Sequence, residues 1–503
     1  MPALTVNEII RTVTVEKELT REVSIPARLD PAQRIVSVNA RVQVTSVRVG
    51  NGVVEVTGNV RYTVFYEPED EGEPLESFTR LVGFTETLSV PGARSGLDAS
   101  IDVLVEDIDW ELLSPRRFLL TFLLSNDVEL FRPERVGIIG EREGVRVSRY
   151  TVQRVVQEIT TQRSFTRRIR LTSDQPAIDR VISLEPTGKN FSAEVGRDVV
   201  VINGYLELGL LYRPVGQFEL RFTTIRIPVN VTVSVPGARP GMDAFVDLFV
   251  QEIEIFNQTE RELTVRINTA WEIIVITEEE VEYPTDIIGE IPGLIPTRRE
   301  FLIDRIIVQQ RTRILASDTI ELSTEAPGVE RIIRATGRLQ PGLVVQPESG
   351  GVTVSGQVVV DLIYVGNRPT QPVYYVSETI DFSRFLDIEA IRPGMQVRIE
   401  GEVVQVRTDI ISPYEVRVGA VIDLRILVIE RVPVSVITRY EEPVEVIPEE
   451  KAPGGTFVYT VRQGDTLYLI AQRYNTSIEA LIELNNLQNP NALNIGQRLL
   501  IPR

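Results

Sequence analysis

The chain repeats itself three times, and an internal repeat constrains a fold more than any composition can. Residues 52–66 read Gly-Val-Val-Glu-Val-Thr-Gly-Asn-Val-Arg-Tyr-Thr-Val-Phe-Tyr, and residues 351–364 read Gly-Val-Thr-Val-Ser-Gly-Gln-Val-Val-Val-Asp-Leu-Ile-Tyr. Between them, residues 199–212 read Val-Val-Val-Ile-Asn-Gly-Tyr-Leu-Glu-Leu-Gly-Leu-Leu-Tyr. In each copy a glycine precedes a tyrosine by eight positions: Gly58 and Tyr66, Gly204 and Tyr212, Gly356 and Tyr364. A second landmark follows each time. Ser89-Val-Pro-Gly-Ala-Arg-Ser-Gly-Leu-Asp-Ala99 matches Ser234-Val-Pro-Gly-Ala-Arg-Pro-Gly-Met-Asp-Ala244, and more weakly Ile391-Arg-Pro-Gly-Met395. Gly96 and Gly241 are 145 residues apart, and Gly241 and Gly394 are 153 apart, which sets the size of the repeating unit.

The periodicity inside the unit is that of a strand. Val54, Val56, Gly58, Val60, Tyr62, Val64 and Tyr66 fall on one face, with Glu55, Thr57, Asn59, Arg61 and Thr63 on the other. Copy three repeats this with Val352, Val354, Gly356, Val358, Val360, Leu362 and Tyr364. Copy two is apolar on both faces around Val199 to Ile202, which predicts a strand covered on both sides. A glycine recurring inside a strand predicts a bulge or a close backbone approach. The Pro-Gly-Ala-Arg segments carry turn chemistry, with proline fixing φ and glycine supplying positive φ. Units of this length can each enclose a sandwich-like core. The pattern lapses in Arg132 to Arg149, in Glu278 to Arg299 and in the proline- and glutamate-rich run Arg431 to Gly455. The expected domains are therefore 5–133, 150–279 and 300–430, with a semi-stiff linker over 431–455 and a terminal domain over 457–503.

Composition removes most enzyme chemistry. The chain has no cysteine and no histidine, so thiolate nucleophiles, disulfides, Cys/His metal sites and imidazole acid–base catalysis are absent. With 71 acidic against 53 basic residues the net charge is −18, which disfavours nucleic acid and anionic membranes as partners. Lysine occurs only at Lys17, Lys189 and Lys451, so the basic residues are almost all arginine, suited to bidentate ion pairs. Met1 to Ile10 lacks a basic n-region followed by an apolar h-region, and no window approaches 18 apolar residues. No signal peptide and no membrane insertion are expected. The acidic runs Glu67 to Glu73 and Glu278 to Glu280 lack calcium-loop spacing and read as solvated loops. Trp110 and Trp271 stand at unmatched positions and read as core. No pair of carboxylates is singled out by its spacing, and the reading is of a non-enzyme without cofactor or metal.

The last 47 residues follow a different rule. Val458 to Val461 reads as a strand, Gly464-Asp465 as a turn, and Asp465 or Thr466 as the cap of a helix. Leu467, Ile470, Ala471 and Tyr474 recur at helical spacing. Thr476 with Glu479 fits a capping box, with Ser477 as the rival cap, and Ile478, Leu481 and Ile482 face inward from the second helix. Leu499, Leu500 and Ile501 close the domain as a strand before Pro502.

This segment, from Phe457-Val-Tyr-Thr-Val-Arg-Gln-Gly-Asp-Thr-Leu to Asn494-Ile-Gly-Gln-Arg-Leu-Leu-Ile-Pro502, resembles the LysM module, a βααβ domain that binds peptidoglycan and other N-acetylglucosamine polymers. The resemblance implies a shallow groove between two loops. Its first wall would be Gly464, Asp465, Thr466 and Leu467, and its second Asn491, Ala492, Leu493, Asn494 and Ile495. Array and tip together resemble SPOCS-domain proteins with a C-terminal LysM, the class that includes endospore coat morphogenetic proteins. That likeness implies a mainly β chain of three sandwich-like SPOCS repeats and a small α+β tip. It also implies a structural adaptor of the spore envelope, with coat or envelope proteins as partners and self-association among its contacts. Its place would be the mother-cell cytoplasm and the forming spore envelope, or alternatively a cell or spore surface. A self-assembling filament subunit polymerising through sheet edges, or a phage tail or baseplate component with a LysM tip, are the alternative readings.

Overall fold

A computed structural model describes residues 3–69, 74–137, 145–217, 219–287, 295–367, 373–441 and 455–502. Contacts divide the chain into two units, Met1–Glu290 with Thr297–Arg439, and Ile291–Pro296 with Tyr440–Arg503.

The first unit holds the three repeats, each built as two antiparallel sheets. Repeat 1 runs β1 (Ala3–Ser24), β2 (Ala32–Val49), β3 (Val53–Pro68), β4 (Glu76–Ser89), β5 (Asp98–Ser114) and β6 (Arg117–Gly137). Repeat 2 runs β7 (Val145–Arg170), β8 (Ile178–Val195), β9 (Val199–Pro214), β10 (Arg221–Ser234), β11 (Asp243–Gln258) and β12 (Glu262–Ile287). Repeat 3 runs β13 (Ile295–Glu321), β14 (Val329–Leu339), β15 (Val344–Glu348), β16 (Gly351–Gly366), β17 (Val373–Asp387), β18 (Gln396–Ser412) and β19 (Glu415–Glu441). The strand orders are β1-β6-β5 with β2-β3-β4, then β7-β12-β11 with β8-β9-β10, then β13-β19-β18 with β16 between β17 and the pair β14, β15. One topology is used three times. In repeat 3 the second strand is split because Pro341-Gly342, with Gly342 at φ +83°, breaks the run that stays continuous in β2 and β8.

Each pair of sheets closes on its own apolar core, and the sequence's inward face is the buried one. Val54, Val56, Val60, Val64 and Tyr66 are buried in repeat 1, as are Val352, Val354, Val358, Val360, Leu362 and Tyr364 in repeat 3. The recurring tyrosines lock the sandwich. Their hydroxyls lie 3.1, 3.2 and 3.2 Å from the carbonyls of Asp30, Pro176 and Pro327, in the turn ahead of the second strand of each repeat. The recurring glycines mark close approaches. A Cβ on Gly58 would lie 2.4 Å from the Gln43 carbonyl oxygen, one on Gly204 2.0 Å from that of Asn190, and one on Gly356 2.6 Å from Leu343 Cδ2. The second landmark folds back onto the hairpin turn. Gly52 N–H donates to Ala93 O and Val90 N–H to Gly52 O, and Asp198 does the same with Ala238 and Val235.

Several expectations are corrected. The first and last strands of each repeat overrun the expected domain edges. β6 continues to Gly137, β7 begins at Val145, β12 continues to Ile287 and β13 begins at Ile295. β19 continues through Glu441, so residues 431–441, expected as linker, are strand, and Val434, Val436 and Ile437 are buried. The rest of the expected linker, 442–454, lies outside the described residues. Glu278 to Glu280 lie in β12 rather than a loop, and Glu279 pairs with Arg154 at 3.1 Å. Of the expected acidic loop Glu67 to Glu73, Glu67 lies in β3 and pairs with Arg34, and 70–73 lie outside the described residues. Around Val199 to Ile202 only Val200 and Ile202 are buried, and Val199 and Val201 stay half-exposed, so this end of β9 has one covered face. Trp271 is core, while Trp110 is half-exposed and meets Tyr375 of repeat 3 edge-to-face at 6.3 Å.

The three sandwiches also share a centre. Val36, Phe65 and Leu75 of repeat 1 pack with Ile182, Leu211 and Leu220 of repeat 2 and with Ile333, Ile363 and Val373 of repeat 3. Val36, Ile182 and Ile333 are each the extra residue at a register shift, so a bulge at one repeated position turns each into the shared cluster. Around it runs a cycle of arginines at another matched position. Arg34 of repeat 1 donates to the Val373 carbonyl of repeat 3, Arg331 of repeat 3 to the Leu220 carbonyl of repeat 2 at 2.9 Å, and Arg180 of repeat 2 to Glu76 of repeat 1. The three contacts fall at the entrances of the equivalent strands β17, β10 and β4, so the head-to-tail contacts close after three.

The second unit is a small α+β domain: β20 (Thr456–Thr460), α1 (Leu467–Arg473), α2 (Ile478–Asn485) and β21 (Arg498–Pro502), with β20 antiparallel to β21.

Candidate functional site

The βααβ unit is organised by its caps. Thr466, not Asp465, caps α1, its hydroxyl accepting from Leu469 N–H at 3.2 Å. Ser477, not Thr476, caps α2, accepting from Ala480 N–H at 3.1 Å. α2 ends on Asn486 in the left-handed region, and Asn485 ties that end to β21. Its amide donates to Leu481 O and Leu500 O, and its side-chain oxygen accepts from Leu500 N–H. The core is Tyr459, Val461, Leu467, Ile470, Ala471, Leu481, Leu499 and Ile501, with Phe457, Tyr474, Ile478, Ile482, Leu487 and Leu493 packed on it.

The two expected walls lie side by side because one residue joins them. Val461 N–H donates to Gln497 O, and Gly496 N–H donates to Val461 O, both at 2.8 Å. The first loop leaves directly after Val461, and the second arrives directly before Gly496. Not every expected wall residue offers a side chain to a ligand. Leu467 is 4% exposed and belongs to the core, and Leu493 packs on that core. The Asp465 carboxylate accepts from Tyr459 Oη at 2.6 Å and Arg462 N–H at 2.8 Å, and lies 3.7 Å from Arg473. It holds the loop and is already satisfied. Gly464 makes the turn at φ +88°. Asn491 N–H bonds the side chain of Asn489, and Asn494 N–H bonds that of Gln497. Thr466, Asn491, Ala492, Asn494 and Ile495 are exposed, Ile495 at 70%. Two further exposed apolar residues follow the first wall, Tyr468 at 62% and Leu469 at 42%. Sequence reasoning passed over them, although their place on the face of α1 opposite the Leu467, Ile470 and Ala471 stripe was readable from helical period.

Asp465 gives this loop a pH dependence. Burial alone would raise its pKa. The Tyr459 hydroxyl, the Arg462 N–H and the charges of Arg473 and Arg462 outweigh that and hold it below the usual carboxylate range. A depressed folded pKa contributes stability that is present above the unfolded value, about 3.9, and is lost as pH falls through the folded one. Asp465→Asn is therefore expected to reduce hydrogen-exchange protection of residues 456–502 at pH 7. The difference from wild type should shrink as pH falls below that range. A pH-independent difference would contradict this account.

Among the described residues no acidic cluster is placed to hold a metal ion, and no helix is long and apolar enough to cross a membrane. The LysM domain family matches residues 459–502, and the family described as SipL, SPOCS domain matches residues 31–113, 177–256 and 328–411. Neither domain type is catalytic. The chain is 42% identical over 48 residues to the N-acetylmuramoyl-L-alanine amidase XlyA of Bacillus subtilis (strain 168), covering 10% of this chain and 16% of that protein. It is 44% identical over 45 residues to a cortical fragment-lytic enzyme of the same organism, covering 9% of this chain and 10% of that one. The chain thus spans less than a fifth of the length of either relative. No solved structure matches it. The matches cover β2 to β5, β8 to β11, β14 to β18 and the βααβ tip, leaving the first and last strand of each repeat outside them, and the chain is a SPOCS-domain protein with a C-terminal LysM domain.

Proposed function

We propose that the chain is a non-enzymatic adaptor of the bacterial spore envelope, whose SPOCS unit makes protein contacts and whose LysM docks on peptidoglycan. The observation that carries the docking half is the pair of loops tied together at Val461, with Ile495 on the second and Tyr468 and Leu469 just beyond the first. A groove of backbone N–H and carbonyl groups beside small apolar contacts suits an acetamido sugar, which presents both an amide and a methyl group. The names of the two curated relatives point the same way, since one is an N-acetylmuramoyl-L-alanine amidase and the other acts on cortical fragments.

The assembly half rests on the edges of the sheets. The edge strand β5 carries six acidic and no basic residues, while the edge strand β7 carries seven arginines and one glutamate. Each of these edges repels its own kind, so a strand-to-strand contact would pair unlike edges, either with an oppositely charged partner protein or with a second copy of this chain. A protein docking site on LysM is compatible with the same groove and is the alternative use of it. The site of action would be the mother-cell side of the forming spore envelope.

Co-sedimentation with insoluble peptidoglycan tests the reading. The full chain is expected to pellet, and a chain ending at Pro453 is expected to stay in solution. Ile495→Asp, at an exposed position, should weaken pelleting by about tenfold, the equivalent of one lost apolar contact of about 1.4 kcal/mol. Equal pelleting of all three proteins would reject the glycan reading.

A further inference from the structure

Where the three repeats meet, the buried charges do not balance. Arg61 of β3 is 6% exposed and Arg334 of β14 is 7% exposed, while Arg338, farther along β14, is partly exposed. Arg334 donates to Glu185 at 2.5 Å, and Arg338 lies 3.8 Å from Asp361 and 3.9 Å from Asp107. Among the described residues Arg61 has no carboxylate within 4 Å, and its Nε has no hydrogen-bond partner. Burial pushes the Arg61 pKa down. Glu185 opposes this, but Arg41 and Arg334 add to it. A guanidinium does not give up its proton in a protein, so a charge in this position calls for a counterion instead.

A small cleft of about 30 Å³ lies against Arg61. Arg41 of repeat 1, Thr187 and Lys189 of repeat 2 and Glu402 of repeat 3 also line it. The Thr187 hydroxyl is buried without a partner. Lys189 is engaged by Asp247 and by the Leu248 carbonyl. Arg41 and Glu402 are exposed. With Lys189 neutralised by Asp247, the lining keeps one net positive charge, and the acidic Glu402 disfavours an extended polyanion. A small, singly cationic cleft with Arg61 and the Thr187 hydroxyl buried and Arg41 at its mouth fits one compact oxyanion, because such an ion accepts several N–H and O–H bonds at once.

We propose that this cleft binds one small inorganic oxyanion, of the phosphate or sulfate type, through Arg61 and the Thr187 hydroxyl, with Arg41 at its mouth. Bound there, the ion would join repeats 1 and 2 and stabilise the unit by an amount that grows with the logarithm of its concentration above Kd.

The test is titration of the full chain with sodium phosphate and, separately, sodium sulfate, with ionic strength held constant by sodium chloride. Calorimetry is expected to show one saturable site per chain, and the unfolding temperature should keep rising with the logarithm of the anion concentration. Arg61→Met should weaken binding more than tenfold, while Arg41→Gln, at an exposed position, should weaken it a few-fold. No saturable binding to wild type, meaning that the cleft holds water only, would overturn the proposal. Binding to a folded Arg61→Met equal to wild type would do the same. If Arg61→Met does not fold, Thr187→Val takes its place, since it removes the hydroxyl and keeps the shape. A several-fold loss there supports the site, and unchanged affinity overturns it.

Discussion

Glu185→Leu is expected to destabilise the three-repeat unit by about 3–5 kcal/mol, the usual penalty for removing one partner of a buried ion pair. The size follows from what Glu185 serves. It is 6% exposed on β8, accepts from Arg334 of repeat 3, and is the carboxylate that opposes the charge of Arg61 of repeat 1. One carboxylate from repeat 2 therefore answers donors from both other repeats. Leucine would fill much of its volume and leave two guanidiniums buried without it. Burial alone would raise the Glu185 pKa, but Arg334, Arg61, Thr63 and Arg41 together hold it below the ordinary carboxylate range. The folded value is thus depressed, so its contribution is present above the unfolded value, about 4.3, and is lost as pH falls through the folded one. Denaturant midpoints measured at pH 7 and pH 3 should show a large gap between wild type and Glu185→Leu at the higher pH and a smaller one at the lower. The double variant Glu185→Leu with Arg334→Met should recover part of the loss, since one stranded charge goes with its partner. A change below about 1 kcal/mol, the level of an exposed pair, would show that the junction does not depend on this contact.

The sequence read the interior of each repeat well and its outside poorly, for one physical reason. Period two reports burial against a sheet's own partner. It says nothing of a second surface that only tertiary packing covers. Arg61 and Thr63 were placed on the polar face of their strand, yet both are buried because neighbouring repeats close over that end of β3. Phe65 was the one signal, a large apolar residue on the otherwise polar face, and it packs into the shared cluster. Val36, Ile182 and Ile333 gave none, since a bulge shifts each out of the strand's alternation. The strand ends were misread through proline. Pro284 lies in β12 at a register shift and beyond Ile276, where β11 no longer pairs, so the missing N–H faces no ladder partner on that side. In LysM the cap residues narrowed each helix start to two candidates, and geometry chose the later one both times. The candidate walls were found by position in the family pattern, but which side chains point out of them was not. Leu467 belongs to the helical stripe that the same sequence predicted as core.

The recurring glycines allow the sharpest ranking of outcomes, because one sequence position carries three different local reasons for lacking a side chain. At Gly204 an added Cβ would lie 2.0 Å from the Asn190 carbonyl oxygen and 2.9 Å from Phe191 Cα, and the backbone sits at φ +155°. Both obstacles are main chain. β9 is the central strand of its sheet, with β8 bonded on one side and β10 on the other, so neither neighbour can yield without breaking a ladder. Gly204→Ala is expected to cost about 3–5 kcal/mol, the sum of backbone strain and overpacking. At Gly356 the obstacles are Leu343 Cδ2 at 2.6 Å and the Phe382 ring at 3.2 Å, and β14 and β15 are interrupted opposite it. Side chains beside a gap can turn aside, so Gly356→Ala should cost about 1–2 kcal/mol, at the lower end of overpacking penalties. Gly58 faces the Gln43 carbonyl at 2.4 Å and the Phe84 ring at 2.7 Å, and belongs between the two. Urea midpoints of the three single variants should therefore order as Gly356→Ala, Gly58→Ala, Gly204→Ala from most to least stable. Equal losses at all three would mean that the repeat conserves a shared turn geometry instead of three separate contacts, and a tolerated Gly204→Ala would refute the close approach of β9 to β8.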